Sequence, residues 1–517
     1  MNNAEGQYSP VRRLLLAVVL IAAAAFQPWT HAQAAPGQSA GSGQSSTAQL
    51  QSPSASGQSS PAQKPAATPP DAQQPPADQE VKITPSQAEE LFHSVDEILQ
   101  FDSKETGLPI RREVKRRLTS RDEVVSYLTK HVDDEDTKRL RRSELVLKKF
   151  GLLPHEFDLQ TFLVALLREE VAGYYDPKTK TVNLLDWVPM EEQEPVMAHE
   201  LTHALQDQDV GLQKWMKKGD KDLGEIKKDP TPEDIDNDEI DDAREAVLEG
   251  QAQAIMFQYA IAPTGHSIAD SPALVQTMET ESMTGTPSTK VFNEAPIFMK
   301  ESLTFPYTYG MEFVIKLLQK AGKEKAFAGL LQNPPHTTRQ IMQPETYLSG
   351  EKIEPMPVPD FKRDFKDYQK FDIGAMGEFD VAVLVEQYAG KTQSDRIYPE
   401  WRGGYYYAAR PRSDSKAPLA LLYVSRWVSP EAAADFAGIY AQSLQKRYKQ
   451  VEGAEDHTSN RAPAQDKKTE AAPLKGRHAW TTEEGTIVIE QQADTVFVSE
   501  SLDAATTAVL EKEVLGK

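Results

Sequence analysis

Two histidines and a glutamate stand together at His199-Glu200-x-x-His203, inside the stretch Met197-Ala-His-Glu-Leu-Thr-His-Ala-Leu-Gln-Asp-Gln208. Histidines four residues apart lie on one face of an α-helix, so both imidazoles can reach a single metal ion such as Zn²⁺. Glu200 follows the first histidine directly and stands beside the metal, where a carboxylate can take a proton from a bound water. The flanking residues predict the helix that this chemistry needs. Met197, Leu201, Ala204 and Leu205 form an apolar stripe opposite the histidine face. Pro195 fits a first helical turn, and Glu191, Glu192 and Glu194 put negative charge at its positive end.

A third ligand is expected from a second helix, Ala243-Arg-Glu-Ala-Val-Leu-Glu-Gly-Gln-Ala-Gln-Ala254. Ala246, Gly250 and Ala254 are small and spaced by four, so another helix can approach closely there. Glu249 sits on that side, 46 residues after His203, and is the first choice. Glu245, one turn earlier, is the alternative, as ligand or as a partner to a ligating histidine.

The elements around these residues can be read from capping and periodicity. Thr84-Pro85-Ser86-Gln87 is a capping box that opens a helix to about residue 100. Ile110, Val114 and Leu118 suggest a short strand, Ser120 and Glu123 cap a helix, and another helix covers about 136–149. Asp158 caps a third, with Phe162, Leu163, Leu166 and Leu167 as its apolar face. Gly173 to Leu185 reads as two short strands around an Asp176-Pro177 turn, and an extended substrate can add to such an edge. Nine acids and one base between 229 and 245 read as a solvated acidic loop rather than a calcium loop, because Glu239 stands where the turn glycine belongs. Residues 311–332 form a further amphipathic helix. Beyond 370 come strands at 401–407 and 419–427, a helix capped by Ser429, three strands around Trp480, Ile487 and Val496, and a last helix from Asp503.

Composition limits what the chain can be. It has 517 residues, a net charge of −21 and no cysteine. The charge argues against nucleic acid and anionic membranes as partners, and the missing thiols exclude disulfides, thiolate ligands and thiol catalysis. Arg12, Arg13, the apolar run Leu14 to Phe26 and Ala32-Gln-Ala34 read as a signal peptide over 1–34. The apolar run is shorter than the roughly twenty residues of a membrane span. Residues 35–82, almost entirely Ala, Pro, Gln, Ser and Gly, read as a linker.

HELTHALQDQ at 199–208, Tyr174-Tyr-Asp-Pro177 upstream and Glu249-Gly-x-Ala252 downstream together resemble a group of exported bacterial zinc metallopeptidases of the gluzincin kind. Phe305-Pro-Tyr-Thr-Tyr-Gly310 and the segment 334–347 look like the same group, so the likeness covers about 160–360. In that group a glutamate is usual where this chain has Arg339, and a histidine where it has Gln343. The resemblance implies Glu249 rather than Glu245 as the third ligand. With the elements read above, the expected architecture is α+β: a mostly helical zincin-like metallopeptidase domain with a short β-sheet over 83–365, and, from the composition shift after Pro359 and the strands and helices beyond it, a smaller α+β domain over 370–517.

These readings converge on an exported, periplasmic or extracellular peptidase acting on protein or peptide substrates. His199, His203 and Glu249 would hold Zn²⁺ with a fourth position for water, and Glu200 would move the proton from that water to the leaving amine. An oxyanion donor is also required. Tyr307 is the first candidate, followed by Tyr309, Tyr174 and His336. Two alternatives stand beside this: a zinc hydrolase of cell-wall peptides, and an envelope binding or assembly protein with a vestigial site. The Gly/aromatic cluster at 401–407 reads first as a tight turn with core aromatics and only second as a surface for a substrate or partner.

Overall fold

Capping chemistry sets the first helix. Thr84 accepts from the Gln87 backbone N–H while the Gln87 side chain accepts from Thr84, and α1 runs over Pro85–Thr106 to a left-handed Gly107. The computed structural model describes residues 82–124, 134–170, 173–188, 190–217, 235, 237–271, 289–453 and 471–517, all within one compact unit. The signal segment and all of the linker but Lys82 lie outside the described residues.

Strand β1 (Lys115–Thr119) is followed by helices α2 (Asp134–Phe150) and α3 (Leu159–Glu170), the latter capped by Asp158 accepting from Thr161. The expected hairpin is present as β2 (Gly173–Asp176) and β3 (Thr181–Leu185), paired antiparallel. Asp176 closes its turn by accepting from the Lys178 N–H and the Thr179 hydroxyl. β1 adds parallel to β3, giving the order β1-β3-β2 with β2 at an edge. Two long helices follow, α4 (Met190–Val210) and α5 (Asn237–Ile261), and then α6 (Ile297–Glu324).

Three readings of these helices need correction. Pro195 does not lie in the first turn of its helix; α4 starts five residues earlier, at Met190. The acidic run is helical from Asn237 onward, and Glu239, Asp241 and Glu245 are buried rather than solvated. The helix expected over 311–332 begins at Ile297, runs through Pro306 and breaks at Gly322, whose backbone has φ +83°.

The C-terminal part is built on a seven-stranded antiparallel sheet. Its strands are β4 (Tyr368–Ala375), β5 (Trp401–Pro411), β6 (Ala420–Trp427), β7 (Val451–Gly453), β8 (Gly476–Thr482), β9 (Gly485–Gln492) and β10 (Thr495–Glu500), in the order β4-β5-β6-β10-β9-β8-β7. Helices α7 (Thr338–Met342), α8 (Glu378–Ala389), α9 (Pro430–Arg447) and α10 (Ala504–Leu515) complete the frame used below. Side chains alternate across the sheet, as strand geometry requires. Tyr406, Ala408, Leu421 and Tyr423 enter one core, whereas Tyr405, Tyr407, Ala409 and Leu422 enter a smaller one beneath α10. The larger core is continuous from α1 to β10. Phe150 meets Tyr406 and Tyr423 edge-on, and Phe305 packs on Phe379, so the two sides of residue 370 share one interior. Among the described residues no helix is long and apolar enough to cross a membrane.

Candidate metal centre

Helix α4 lies between the small sheet and α5, and from Val196 to Gln208 every residue of it is buried. Met197, Leu201, Ala204 and Leu205 face apolar neighbours, while His199, Glu200 and His203 on the other faces are also fully buried. The two imidazoles stand one turn apart, ring centres 4.8 Å from each other and nearly perpendicular. Glu249 reaches them from α5. Its Oε2 is 3.1 Å from His199 Nε2 and 3.4 Å from His203 Nε2, and the two Nε2 atoms are 3.1 Å apart. A tetrahedral ion with arms of ~2.0–2.1 Å needs donors about 3.3 Å apart. The three residues therefore form a group that could hold a metal ion. Glu249, and not Glu245, completes it.

How α5 comes so close is visible at its small residues. A Cβ on Gly250 would sit 2.2 Å from the backbone of Gly310, and one on Gly310 would sit 2.3 Å from the Ala246 carbonyl oxygen. The stripe of small residues admits α6, as its spacing suggested. One turn before Gly310, α6 presents Tyr307, whose ring centre is 6.2 Å from that of His199. Burial, then the charges of Glu249, Glu245 and Glu200, push the Tyr307 hydroxyl well above its ordinary value, so it stays a protonated donor. The other three donor candidates lie elsewhere. Tyr174 has Asp176, Arg117 and Glu123 for neighbours, Tyr309 has Phe305, Lys391 and Tyr398, and His336 lies near Arg244.

The electrostatics of the group follow from burial and mutual attraction. Burial lowers the His203 imidazolium, but the Glu249 charge outweighs it and holds the pKa up at about 9. Burial likewise raises Glu249, and His203 and His199 together bring it down to about 2. The proton thus sits on His203. His199 is lowered, chiefly by burial. Glu200 is pushed up to about 8 by burial, against the opposing pull of the His203 charge and the Tyr175 backbone N–H. Its Cγ would lie 3.6 Å from a Cβ on Gly173, which places it against edge strand β2. A fully buried carboxyl of raised pKa, beside three converging ligand atoms, is a group suited to exchanging a proton near neutral pH.

Several features escaped the sequence reading. The second half of HELTHALQDQ anchors the first. Gln206 contacts His203 Nδ1 at 2.9 Å, and Asp207 accepts from Tyr175, Lys180 and Arg112. Gln208 accepts from the backbone N–H groups of Arg111 and Arg112. Arg339 and Gln343, the two departures from the resembling group, both bind the buried carboxylate of Glu378, at 2.8 and 2.6 Å. They join α7 to α8 rather than entering the metal group. A cavity of about 610 Å³ lies apart from that group, lined by Arg339, Met356, Trp401, Gly403, Gly404 and Tyr405 among others. The Gly/aromatic cluster therefore divides: its first residues line a cavity, and Tyr406 and Tyr407 pack in the two cores. Compared with protein-family models, curated proteins and solved structures, the chain matches none of them.

Proposed function

We propose that this chain is a zinc-dependent peptidase with a zincin-like site, in which His199, His203 and Glu249 hold the metal. The observation that carries the proposal is the fully buried Glu200 carboxyl beside three ligand atoms spaced 3.1–3.4 Å apart. Zinc in that position supplies Lewis acidity toward a carbonyl and a water. The chain's own residues do the rest. Glu200, buried beside the ligand atoms, accepts a proton as a carboxylate and returns it to the leaving amine. Tyr307, held protonated, donates to the oxyanion. Strand β2 stands at an edge of its sheet with Glu200 packed against it. The signal-like N-terminus supports an exported location, with zinc supplied outside the cytoplasm.

A second reading is favoured by one observation: Glu249 is only 1% exposed and the two histidines 0%. A sealed group suits a structural metal that ties α4 to α5, with the work done elsewhere, as an envelope binding protein would have it. Two measurements decide between them. Glu200→Gln should keep zinc but lose roughly 10²–10⁴-fold in hydrolysis of an unfolded, fluorescently quenched protein substrate. A small hydroxamate should change the visible spectrum of the Co²⁺-loaded chain if the open ligand position is reachable. Full activity in Glu200→Gln, or a wild type that takes up no zinc, would sink the peptidase reading. A hydroxamate-insensitive spectrum together with an inactive wild type would establish the structural one.

A further inference from the structure

We infer that Gln206 and Gln251 form a one-directional hydrogen-bond relay that makes His203 Nδ1 a donor and leaves Nε2 as its metal-facing atom. The inference rests on the metal-site reading and identifies two positioning residues for it.

The direction of the relay is fixed at its far end. Gln251 Nε2 lies 2.8 Å from the Ala326 carbonyl oxygen and 3.1 Å from that of Phe327. Main-chain carbonyls only accept, so the atom facing them must be the NH₂ of the amide. Gln251 then turns its Oε1 toward Gln206, whose Nε2 donates to it at 3.0 Å and also to the Leu248 carbonyl at 3.0 Å. Flipping the Gln206 amide would set its oxygen against two acceptors. Its Oε1 is therefore held toward His203 Nδ1, 2.9 Å away, and that nitrogen must carry the hydrogen. Amide orientation is ordinarily ambiguous. Here three carbonyls remove the ambiguity.

The relay has a structural origin. Ala326 and Phe327 belong to the π-helical turn Lys325–Gly329, a rare winding often found at functional sites. It follows directly on the break at Gly322 that ends α6. Gln206 and Gln251 are both fully buried, so water does not compete for these bonds. Gln253 stands beside His199, where its side-chain hydrogen bond opposes the lowering by burial.

The test uses the full chain and Zn²⁺ as probe. Chelator competition should show Zn²⁺ affinity falling about 10–100-fold in Gln206→Leu. A smaller loss is expected in Gln251→Leu, because Leu248 still pins the Gln206 amide. In parallel, ¹⁵N–¹H spectra of the histidine-labelled, metal-free wild type are taken above the His203 pKa of about 9, where the ring is neutral. They should show the hydrogen on Nδ1. A hydrogen on Nε2 would overturn the relay, as would Gln206→Leu with unchanged affinity. The spectral arm needs neither a variant nor bound metal. A wild type that binds no Zn²⁺ would remove the metal reading, and the spectra would still decide the relay.

Discussion

Helix propensity and close packing predict opposite signs for Gly250→Ala, which makes it the most direct test of the site's construction. Glycine inside a helix is about 1 kcal/mol worse than alanine, so propensity alone predicts stabilisation. The structure predicts the reverse. A Cβ at Gly250 would lie 2.2 Å from Gly310 carbon and 2.3 Å from Gly310 oxygen, against a floor of 3.0 Å for real contacts. Both obstructing atoms are backbone, so no side chain can swing aside. Helices α5 and α6 must part by roughly 0.8 Å to raise 2.2 Å to 3.0 Å. Overpacking of this kind costs about 1–3 kcal/mol, and a backbone clash belongs at the upper end. Subtracting the propensity gain leaves a net loss of about 2 kcal/mol. The movement also acts on function. Glu249 is the adjacent residue and Tyr307 lies one turn from Gly310, so the metal ligand and the proposed donor are displaced together. An error approaching 1 Å in such a constellation can cost about 10²-fold in rate. Urea unfolding and Zn²⁺ competition on the same preparations read both effects. A Gly250→Ala chain as stable as wild type, with unaltered Zn²⁺ affinity, would refute the close crossing.

Other perturbations test separate parts of the account. Burial opposes the His203 charge but Glu249 keeps its pKa at about 9, whereas Glu249 itself ionises at about 2. A metal must therefore displace one proton at neutral pH, and Zn²⁺ affinity should rise about tenfold per pH unit below 9; a flat profile between pH 6 and 8 would contradict this. In the metal-free chain the same raised value stabilises the fold fully below about pH 6.5, and that contribution disappears as pH rises through about 9. Asp102 on α1 is buried with both oxygens partnerless, and burial pushes its pKa well up. A raised carboxyl destabilises the fold as pH climbs above its unfolded value of about 3.9, so Asp102→Asn should melt higher at pH 7 with the gain vanishing near pH 4. Equal melting at pH 7 would count against it. Glu500 accepts from Arg447 at 2.8 Å and from the hydroxyls of Tyr440 and Tyr448, all buried, so Glu500→Gln leaves an uncompensated cation and should cost about 3–5 kcal/mol in urea unfolding. A shift in the unfolding free energy below about 1 kcal/mol would show that the cluster is not held together by its charge.

What could be read from the sequence was whatever short-range geometry determines. Histidines four apart share a helix face, and the small residues at 246, 250 and 254 announce a close helix neighbour. Capping residues at Thr84, Asp158, Ser429 and Asp503 start helices where the sequence places them. Tyr307 follows a proline, and the sequence places the start of its helix after it, at about 311. The helix nevertheless runs through, and the hydroxyls of Thr304 and Thr308 bond back to carbonyls one turn earlier on either side of the proline. Gln206 shows only its spacing of three from His203, and its other partners, like those of Gln251, lie 42 to 76 residues away.

That long-range anchoring bears on how much the His199-Glu200-x-x-His203 pattern means. A pattern that arose by accident on a helix would have no reason to be followed by three buried side chains that fasten the same helix to its surroundings. Here Gln206 ties the turn after His203 to α5, and Asp207 gathers Tyr175, Lys180 and Arg112 from the small sheet and the loop before it. Gln208 holds the backbone of that same loop through Arg111 and Arg112. Each of these polar groups would be costly to bury unpaired, at about 1–3 kcal/mol. Their partners lie on three different elements, so the cost is avoided only in the arrangement that also brings Glu249 and Tyr307 to the histidines. One turn of α4 holds the candidate ligands and the next holds the helix in register with them, the support that the proposed metal site would require.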